Sequence, residues 1–256
     1  MYSDTQVYFG IETSGSVKPF TVAMLSNHGK LLSLQNLDRD NLIAKVSACT
    51  NVVVAINSPA NPNTGLVRQE EIRQHLKPLH FSGRNQDMRL AEYKLKEHGI
   101  NVLMTPSRRE LCSNWVQAGF AVYEKLAELG YKSYPYAGAA LQQLESHAQA
   151  TFCVLAGTQP LPRLSIEGRI QRQLILYEEG VAVKDPMEFF EEVTRHKLLR
   201  GIMPTELIHT PEELDALAAA LVAYRAGEGD EKLIGIGDAR EGKIYLPVAT
   251  LLENYA

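Results

Sequence analysis

Hydrophobic and polar positions alternate at the start of the chain. "QVYFGIET", "FTVAMLS" and "LLSLQNL" are short β-rich runs separated by "SGSVKP" and "NHGK", both turn-forming, and this spacing predicts a meander of three antiparallel strands. Asp38 or Asp40 is placed to cap a helix that runs through Cys49. "NVVVAINSPANP" then reads as a strand with no polar alternation, and a strand buried on both faces needs helices on each side of its sheet. From Asn61 to Tyr136 the period becomes helical, in "RNQDMRLAEYKLKEHGI" (Met88, Ala91, Leu95) and "SNWVQAGFAVYEKLAELGYK" (Trp115, Phe120, Val122, Leu126, Leu129). Residues 61–136 therefore read as a helical insertion or lid inside a single domain spanning 1–256.

Beyond the insertion, "AALQQLESHA" predicts an extended segment leading into a short helix near "FCVLAG". Two amphipathic helices follow, "SIEGRIQRQLILYEEG" and "DPMEFFEEVTRHKLLRGI", the second with Asp185, Pro186 and Glu188 as a capping box. "HTPEELDALAAALVAYRAGEG" is the clearest helix. Thr210 caps it, Pro211 suits its first position, Glu213 completes the box and Glu212 faces the positive end of the dipole. "KLIGIGDAREGKIYLPV" reads as a terminal β-hairpin, and the chain carries no repeat and no low-complexity tract.

Composition narrows the class. The 256 residues are 45% hydrophobic and 22% charged, enough for a sizeable core in a soluble globular protein. Twenty-six basic residues against thirty acidic ones give a net charge of -4, which lacks the global basic footprint of a non-specific nucleic-acid binder. It leaves room for an enzyme with a local basic patch and positive charge from bound metal. Cys49, Cys112 and Cys153 are too few and too scattered for a zinc knuckle or a disulfide framework, and read as buried thiols in a reducing compartment. "MYSDTQVYFG" has no basic region followed by an apolar run, and no stretch approaches the ~18 apolar residues of a membrane span. The expectation is a cytoplasmic protein with no membrane partner.

The helix from His209 to Gly229 poses the chemical question. Asp215 lies beyond the cap, with Ala218, Ala219 and Val222 at plus three, four and seven, small residues that let a helix approach a sheet closely. A buried aspartate is costly unless paired. Asp215 is therefore either a partly exposed residue at the edge of the stripe or a metal ligand. Three strands, a helix and a central strand form the opening order of the ribonuclease H-like fold. In that fold carboxylates on the first strand, the end of the fourth strand and the last helix hold magnesium that activates water. The matching positions are Glu12, Asn57 and Asp215, with Glu212 on the same helix face; "LESHA" offers Glu145 and His147, which share a side if that segment is a strand. Glu145 reads as a ligand. His147 reads either as a packed or surface residue or as a general base or phosphate contact. Arg169 and Arg172 lie off the apolar stripe of their helix and, with Arg89 beside the insertion helix, are the phosphate-contact candidates. Arg195, following Glu191 at plus four, reads as a solvated helix pair. "GIGDAREG" lacks the spacing of a dinucleotide or phosphate-loop motif.

The segments "GIETSG", "VAINSPANPNTG", "MRLAEYKLKEHGINVLMTPS", "LESHA", "EGRIQRQLILYEEG", "DPMEFFEEVTRHKLLRGIMP", "ELDALAAALVAYRAG" and "IGDAREGKIYLP" resemble domain-of-unknown-function family 429, described as predicted nucleases of ribonuclease H-like fold. The resemblance implies an α/β fold with a mixed sheet, three antiparallel strands then parallel ones, flanked by helices. It also implies a magnesium- or manganese-dependent phosphodiester hydrolase with a nucleic acid or nucleotide as substrate. Glu12 stands where the family usually has aspartate, and Asn57-Ser58-Pro59 stands where many members have Asp-x-Pro; the proline after "LESHA" is missing. Asparagine coordinates through its carbonyl oxygen without adding charge. Alongside the hydrolase stand two other readings, a catalytically silent nucleic-acid- or nucleotide-binding member and a structural or protein-interaction module.

Overall fold

A computed structural model describes residues 6–13, 20–79 and 87–255. The meander is β1 (Val7–Glu12), β2 (Phe20–Ser26) and β3 (Leu31–Leu37), antiparallel throughout. The predicted turn "SGSVKP" lies outside the described residues, as do Arg84, Asn85 and Gln86 at the start of the first predicted insertion helix. Asp38 caps α1 (Arg39–Ser47), its carboxylate accepting from the Asn41 amide at 2.8 Å, and β4 (Val52–Asn57) runs back parallel to β1. The chain then makes a short helix α2 (Glu70–Arg73), α3 (Leu90–Glu97) and α4 (Asn114–Glu128), and returns to the sheet through β5 (Lys132–Ser133) and β6 (Leu141–Glu145). α5 (Ala148–Ala156), α6 (Ile166–Glu178), α7 (Glu188–Glu192), α8 (Arg195–Leu199) and α9 (Pro211–Gly227) precede the closing hairpin of β7 (Ile234–Asp238) and β8 (Gly242–Leu246).

The result is an α/β architecture on one mixed eight-stranded sheet in the order β3-β2-β1-β4-β6-β8-β7, with β5 beside β6. β1, β4, β6 and β8 run parallel, and the other pairs among β1, β2, β3, β7 and β8 are antiparallel. Alternate side chains of the central strands serve two cores, as the unbroken apolar runs require. Tyr8, Ala23, Leu25, Val53 and Ala55 pack under α9 with Phe152 and Leu176, whereas Val7, Phe9, Ile11, Val54 and Ile56 face Leu42 and Val46 of α1 and Val122 and Leu126 of α4. α4 thus covers a sheet face, and the stretch 61–136 supplies part of the core as well as connections. A further core packs α3 and α5 against β8 through Ala91, Leu95, Ala150, Cys153 and Ile244. All three cysteines are buried and free, and among the described residues no helix is long and apolar enough to cross a membrane.

Two local readings need correction. "DPMEFFEEVTRHKLLRGI" is two short helices: Val193 is extended, and the Thr194 hydroxyl accepts from the Lys197 amide at 3.3 Å and so starts α8 afresh. β-branched residues with a side-chain acceptor compete with continued helix at such a point. Asp185 accepts from Met187 instead of closing a box with Glu188, and Glu191 and Arg195 fall on different helices.

α9 behaves as predicted at its start, where Thr210 and Glu213 form the reciprocal box around Pro211. It is buried almost all round, which suits a helix in the middle of a layer. Gly10 lets it sit directly on β1: a Cβ there would stand 2.0 Å from the Ala216 carbonyl oxygen and 2.1 Å from the Ala220 nitrogen. Gly10→Ala is expected to cost at least ~3 kcal/mol, the upper range for overpacking, because backbone and not a movable side chain blocks the methyl. Guanidinium chloride unfolding reads this, and a loss below ~1 kcal/mol would show that α9 can back away.

Candidate functional site

Parallel pairing puts three strand ends side by side. Glu12 of β1 lies directly opposite Asn57 of β4, and Glu145 of β6 opposite Ile56. In open α/β sheets the crevice beyond the carboxyl ends of the strands is the place for ligands. A cleft of about 1010 Å³ opens there, lined on its polar part by Glu12, Asn57, His147, Arg163, Glu212 and Asp215 and on its apolar part by Leu103, Met104, Leu111 and Trp115. Leu103 and Leu111 are 72% and 67% exposed, so the apolar lining faces open solvent.

Glu12 and Asp215 form the charged heart of this cleft. Burial pushes the Glu12 carboxyl well above the usual carboxylate range, and the neighbouring charge of Asp215 pushes it further; a hydrogen bond donated by Asn57 Nδ2 opposes the rise. Asp215 is also raised, again chiefly by burial, with Arg163 and Arg172 working against the shift. Arg163 meets Asp215 directly, its Nε and Nη2 both 2.7 Å from Oδ2, and its Nη2 lies 3.8 Å from Glu212. Its charge also acts on Glu12. So Asp215 is neither a solvated edge residue nor an unpartnered acid: it is a buried carboxylate held by a half-buried guanidinium. Arg163 carries no signal in the sequence, because "LPRLS" has no periodicity and no motif; its proximity to Asp215 is purely tertiary.

The remaining predicted site residues line the same region but are spent on structure. Asn57 donates to Glu12 and accepts from the Ala148 amide at 2.8 Å, so its carbonyl oxygen tethers the start of α5 and its amide orients Glu12. Glu145 is buried and takes Arg89 through both oxygens, at 2.8 and 2.5 Å, plus the Ala60 amide at 2.8 Å. Arg89, predicted as a phosphate contact, lines the cleft wall but is 1% exposed and also donates to Glu92 from Nε at 2.8 Å, so its guanidinium is already engaged by protein acceptors. Glu92 in turn accepts from the Thr105 amide and hydroxyl, fixing the loop that supplies Leu103 and Met104 to the cleft. His147 accepts from the Ala150 amide at 3.2 Å through Nδ1 and caps α5, while burial pushes its pKa down to about 4, Glu92 opposing and Arg89 assisting. The Nδ1 contact ties the ring to the start of α5.

Arg169 and Arg172 are likewise corrected as phosphate contacts. Arg169 donates to the carbonyls of His209 and Ile208 at 2.8 Å, outside the cleft, and steadies the approach to the α9 cap. Arg172 is buried, donating to the Leu161 carbonyl at 2.7 Å and to Gln149 at 2.9 Å.

A magnesium or manganese site of Glu12, Asn57, Glu145 and Asp215 does not fit this arrangement. Of that set, Asn57 Oδ1 and both Glu145 oxygens accept from protein donors and Asp215 Oδ2 is paired with Arg163, so the four side chains do not present one common ligand shell. Among the described residues no three His, Cys, Asp or Glu side chains group so as to hold a metal ion.

A family model described as "Protein of unknown function (DUF429)" matches residues 16–239, and the chain belongs to that family. The matched stretch begins after Glu12 and contains Asn57, Arg163 and Asp215. No curated protein and no solved structure matches the chain.

Two outcomes follow from these contacts. Arg89→Met leaves Glu92 and Glu145 buried without their counter-charge and is expected to cost about 3 to 5 kcal/mol in urea unfolding; a change under ~1 kcal/mol would mean that both acids are dispensable. A carboxyl whose folded pKa is raised binds its proton more tightly when folded, so its contribution to stability falls as pH climbs from the ordinary carboxylate range through the raised value. Glu12→Gln keeps an acceptor for Asn57 and removes that liability. Its melting point is expected about 2 to 4 °C above wild type at pH 8, the shift that ~1 kcal/mol makes in a domain of this size, with the gap narrowing at pH 5. A constant gap across that range would show that Glu12 is not the titrating group.

Proposed function

We propose that this DUF429 chain hydrolyses a phosphodiester bond of a nucleic acid or nucleotide in the cleft at the ends of β1 and β4, on a sheet of ribonuclease H-like type. The order β3-β2-β1-β4-β6, with helices on both faces, supports that fold reading. The observation that carries the activity is the meeting of a half-buried carboxylate, Glu12 from the first strand, and a buried one, Asp215 from the last helix, in a cleft large enough for a nucleotide.

The chemistry follows from their coupling. Burial raises the proton affinity of both carboxyls and the charge of Asp215 raises that of Glu12 further, so in this reading one is ionised and the other is an acid. The ionised member takes a proton from water as its oxygen attacks phosphorus. The protonated member gives its proton to the leaving oxygen as the P–O bond breaks, which balances the reaction. Asn57 holds Glu12 in place through its Nδ2 donation. The cleft also has Arg163 for phosphate charge and, in Trp115, an aromatic surface against which a base can lie.

A second reading, binding without turnover, is favoured by one contact: Arg163 neutralises Asp215 and competes with its use as an acid or base. One experiment separates the two. Wild type, Glu12→Gln and Asp215→Asn are incubated with single- and double-stranded DNA, RNA and an RNA–DNA hybrid, in magnesium, manganese or chelator, with fluorescence anisotropy measured in parallel. The hydrolase reading expects cleavage by wild type and a loss of about 100-fold or more in either variant with folding intact. Saturable binding without cleavage by wild type selects the silent reading, and absence of both removes nucleic acid from the cleft.

A further inference from the structure

We infer that Arg163 is the built-in cation of this cleft, standing where a divalent metal would have to approach Asp215, so that guanidinium and metal exclude one another. The proposal rests on the hydrolase reading only for the cleft the two share.

Both Arg163 donors converge on one oxygen of Asp215, at 2.7 Å each, with the same guanidinium 3.8 Å from Glu212. A doubly charged ion on that oxygen would lie against an adjacent positive charge at a buried carboxylate, and the two cations would repel one another. Asn57 and Glu145 do not compensate, since they spend their oxygens on the Ala148 and Ala60 amides and on Arg89.

The turn that presents Arg163 is pinned on both sides, unlike the flexible stem of an ordinary surface ion pair. The Leu161 amide donates to Gln171 at 2.7 Å, the Leu161 carbonyl accepts from buried Arg172 at 2.7 Å, and the Pro162 carbonyl accepts from the Ser165 amide at 3.1 Å. Gly168 lets this turn lie on α6, because a Cβ at that position would stand 1.9 Å from the Pro162 carbonyl oxygen. Three residues of α6 thus aim one arginine at one aspartate. The side chain itself remains 35% exposed, which leaves it able to turn from Asp215 to an incoming phosphate. Arg172 and Gln171 are in this sense positioning residues for Arg163, and Arg172 acts through the Leu161 carbonyl without touching a ligand.

The test is manganese titration by calorimetry on wild type, Arg163→Gln, Arg163→Lys and the double variant Arg163→Gln/Asp215→Asn, each checked for its native circular dichroism. Arg163→Gln frees Asp215, and is expected to bind manganese roughly tenfold or more tighter than wild type, within the usual range of coupling between two ligands of one site. Arg163→Lys keeps the charge and should stay close to wild type; the double variant should lose what Arg163→Gln gained. Equal affinity in wild type and Arg163→Gln overturns the proposal, as does weaker binding in Arg163→Gln. If the glutamine variant fails to fold, micromolar manganese binding by wild type overturns the proposal by itself, and its absence, with binding no tighter in Arg163→Lys, supports it. Because the readout is equilibrium binding, blank hydrolysis assays leave the exclusion standing, and tight metal binding by wild type leaves hydrolysis standing.

Discussion

One buried guanidinium organises the edge of the sheet on which the cleft is built. Arg89 lies at the N-cap of α3 and reaches Glu145 at the end of β6, Glu92 one turn along its own helix and the main-chain carbonyl of Glu241 just before β8. Glu241, fully buried, gathers the amides of Thr64, Leu66 and Leu90, and Glu92 gathers Thr105. Loops that would otherwise be free at the strand ends are therefore tied to a charge that cannot leave. Burying such ions is expensive, and the expense is offset only if every oxygen and proton finds a partner, a condition the network meets closely. It makes this rim stiff, with the apolar lining of Leu103 and Met104 held beside the polar one.

Within that frame, the cleft's electrostatics come down to one arginine among three acids. Glu12 and Asp215 are raised in pKa because burial deprives them of water, and Arg163 recovers part of the cost for Asp215. The separate arginine network at Glu145 keeps that acid out of the balance. Two sets of charges, within one cleft, thus do different work: one fixes shape, the other stays responsive to what enters.

Much of the fold was legible in the sequence. The apolar run at Val52–Ile56 required a two-faced sheet, and the Thr210, Pro211 and Glu213 triplet placed the start of α9 to the residue. The pairing of Glu12 with Asn57 was also legible, since strand order fixes it, and the likeness to a ribonuclease H-like fold put Asp215 beside them. Their use was not. Residue type suggested metal ligands, but whether an oxygen is free depends on which backbone amides lie opposite, and the Ala148 and Ala60 contacts come from distant segments. The arginines show the same thing: helix periodicity put Arg169 and Arg172 off the apolar stripe, yet Arg169 donates to neighbouring carbonyls and Arg172 to the Leu161 and Gly168 carbonyls and Gln149. Arg163, the one that faces the cleft, sits in a loop where periodicity has nothing to report. At Val193 and Thr194 a hydroxyl acceptor broke an apparently continuous helix, an effect of local competition that a hydrophobic pattern does not register.

The contact of Gly10 with Ala216 and Ala220 bears on how the cleft can respond. Main chain rests on main chain there, one residue beyond Asp215 on α9 and two residues before Glu12 on β1. No rotamer change can loosen such a seat, so the spacing of the two acids is a property of the scaffold. Adaptation to an occupant must come from the parts that are not so seated, the long arginine stem and the exposed leucines at the mouth. Evolution could thus retune what this cleft accepts by editing its rim while the distance between its acids stays inherited.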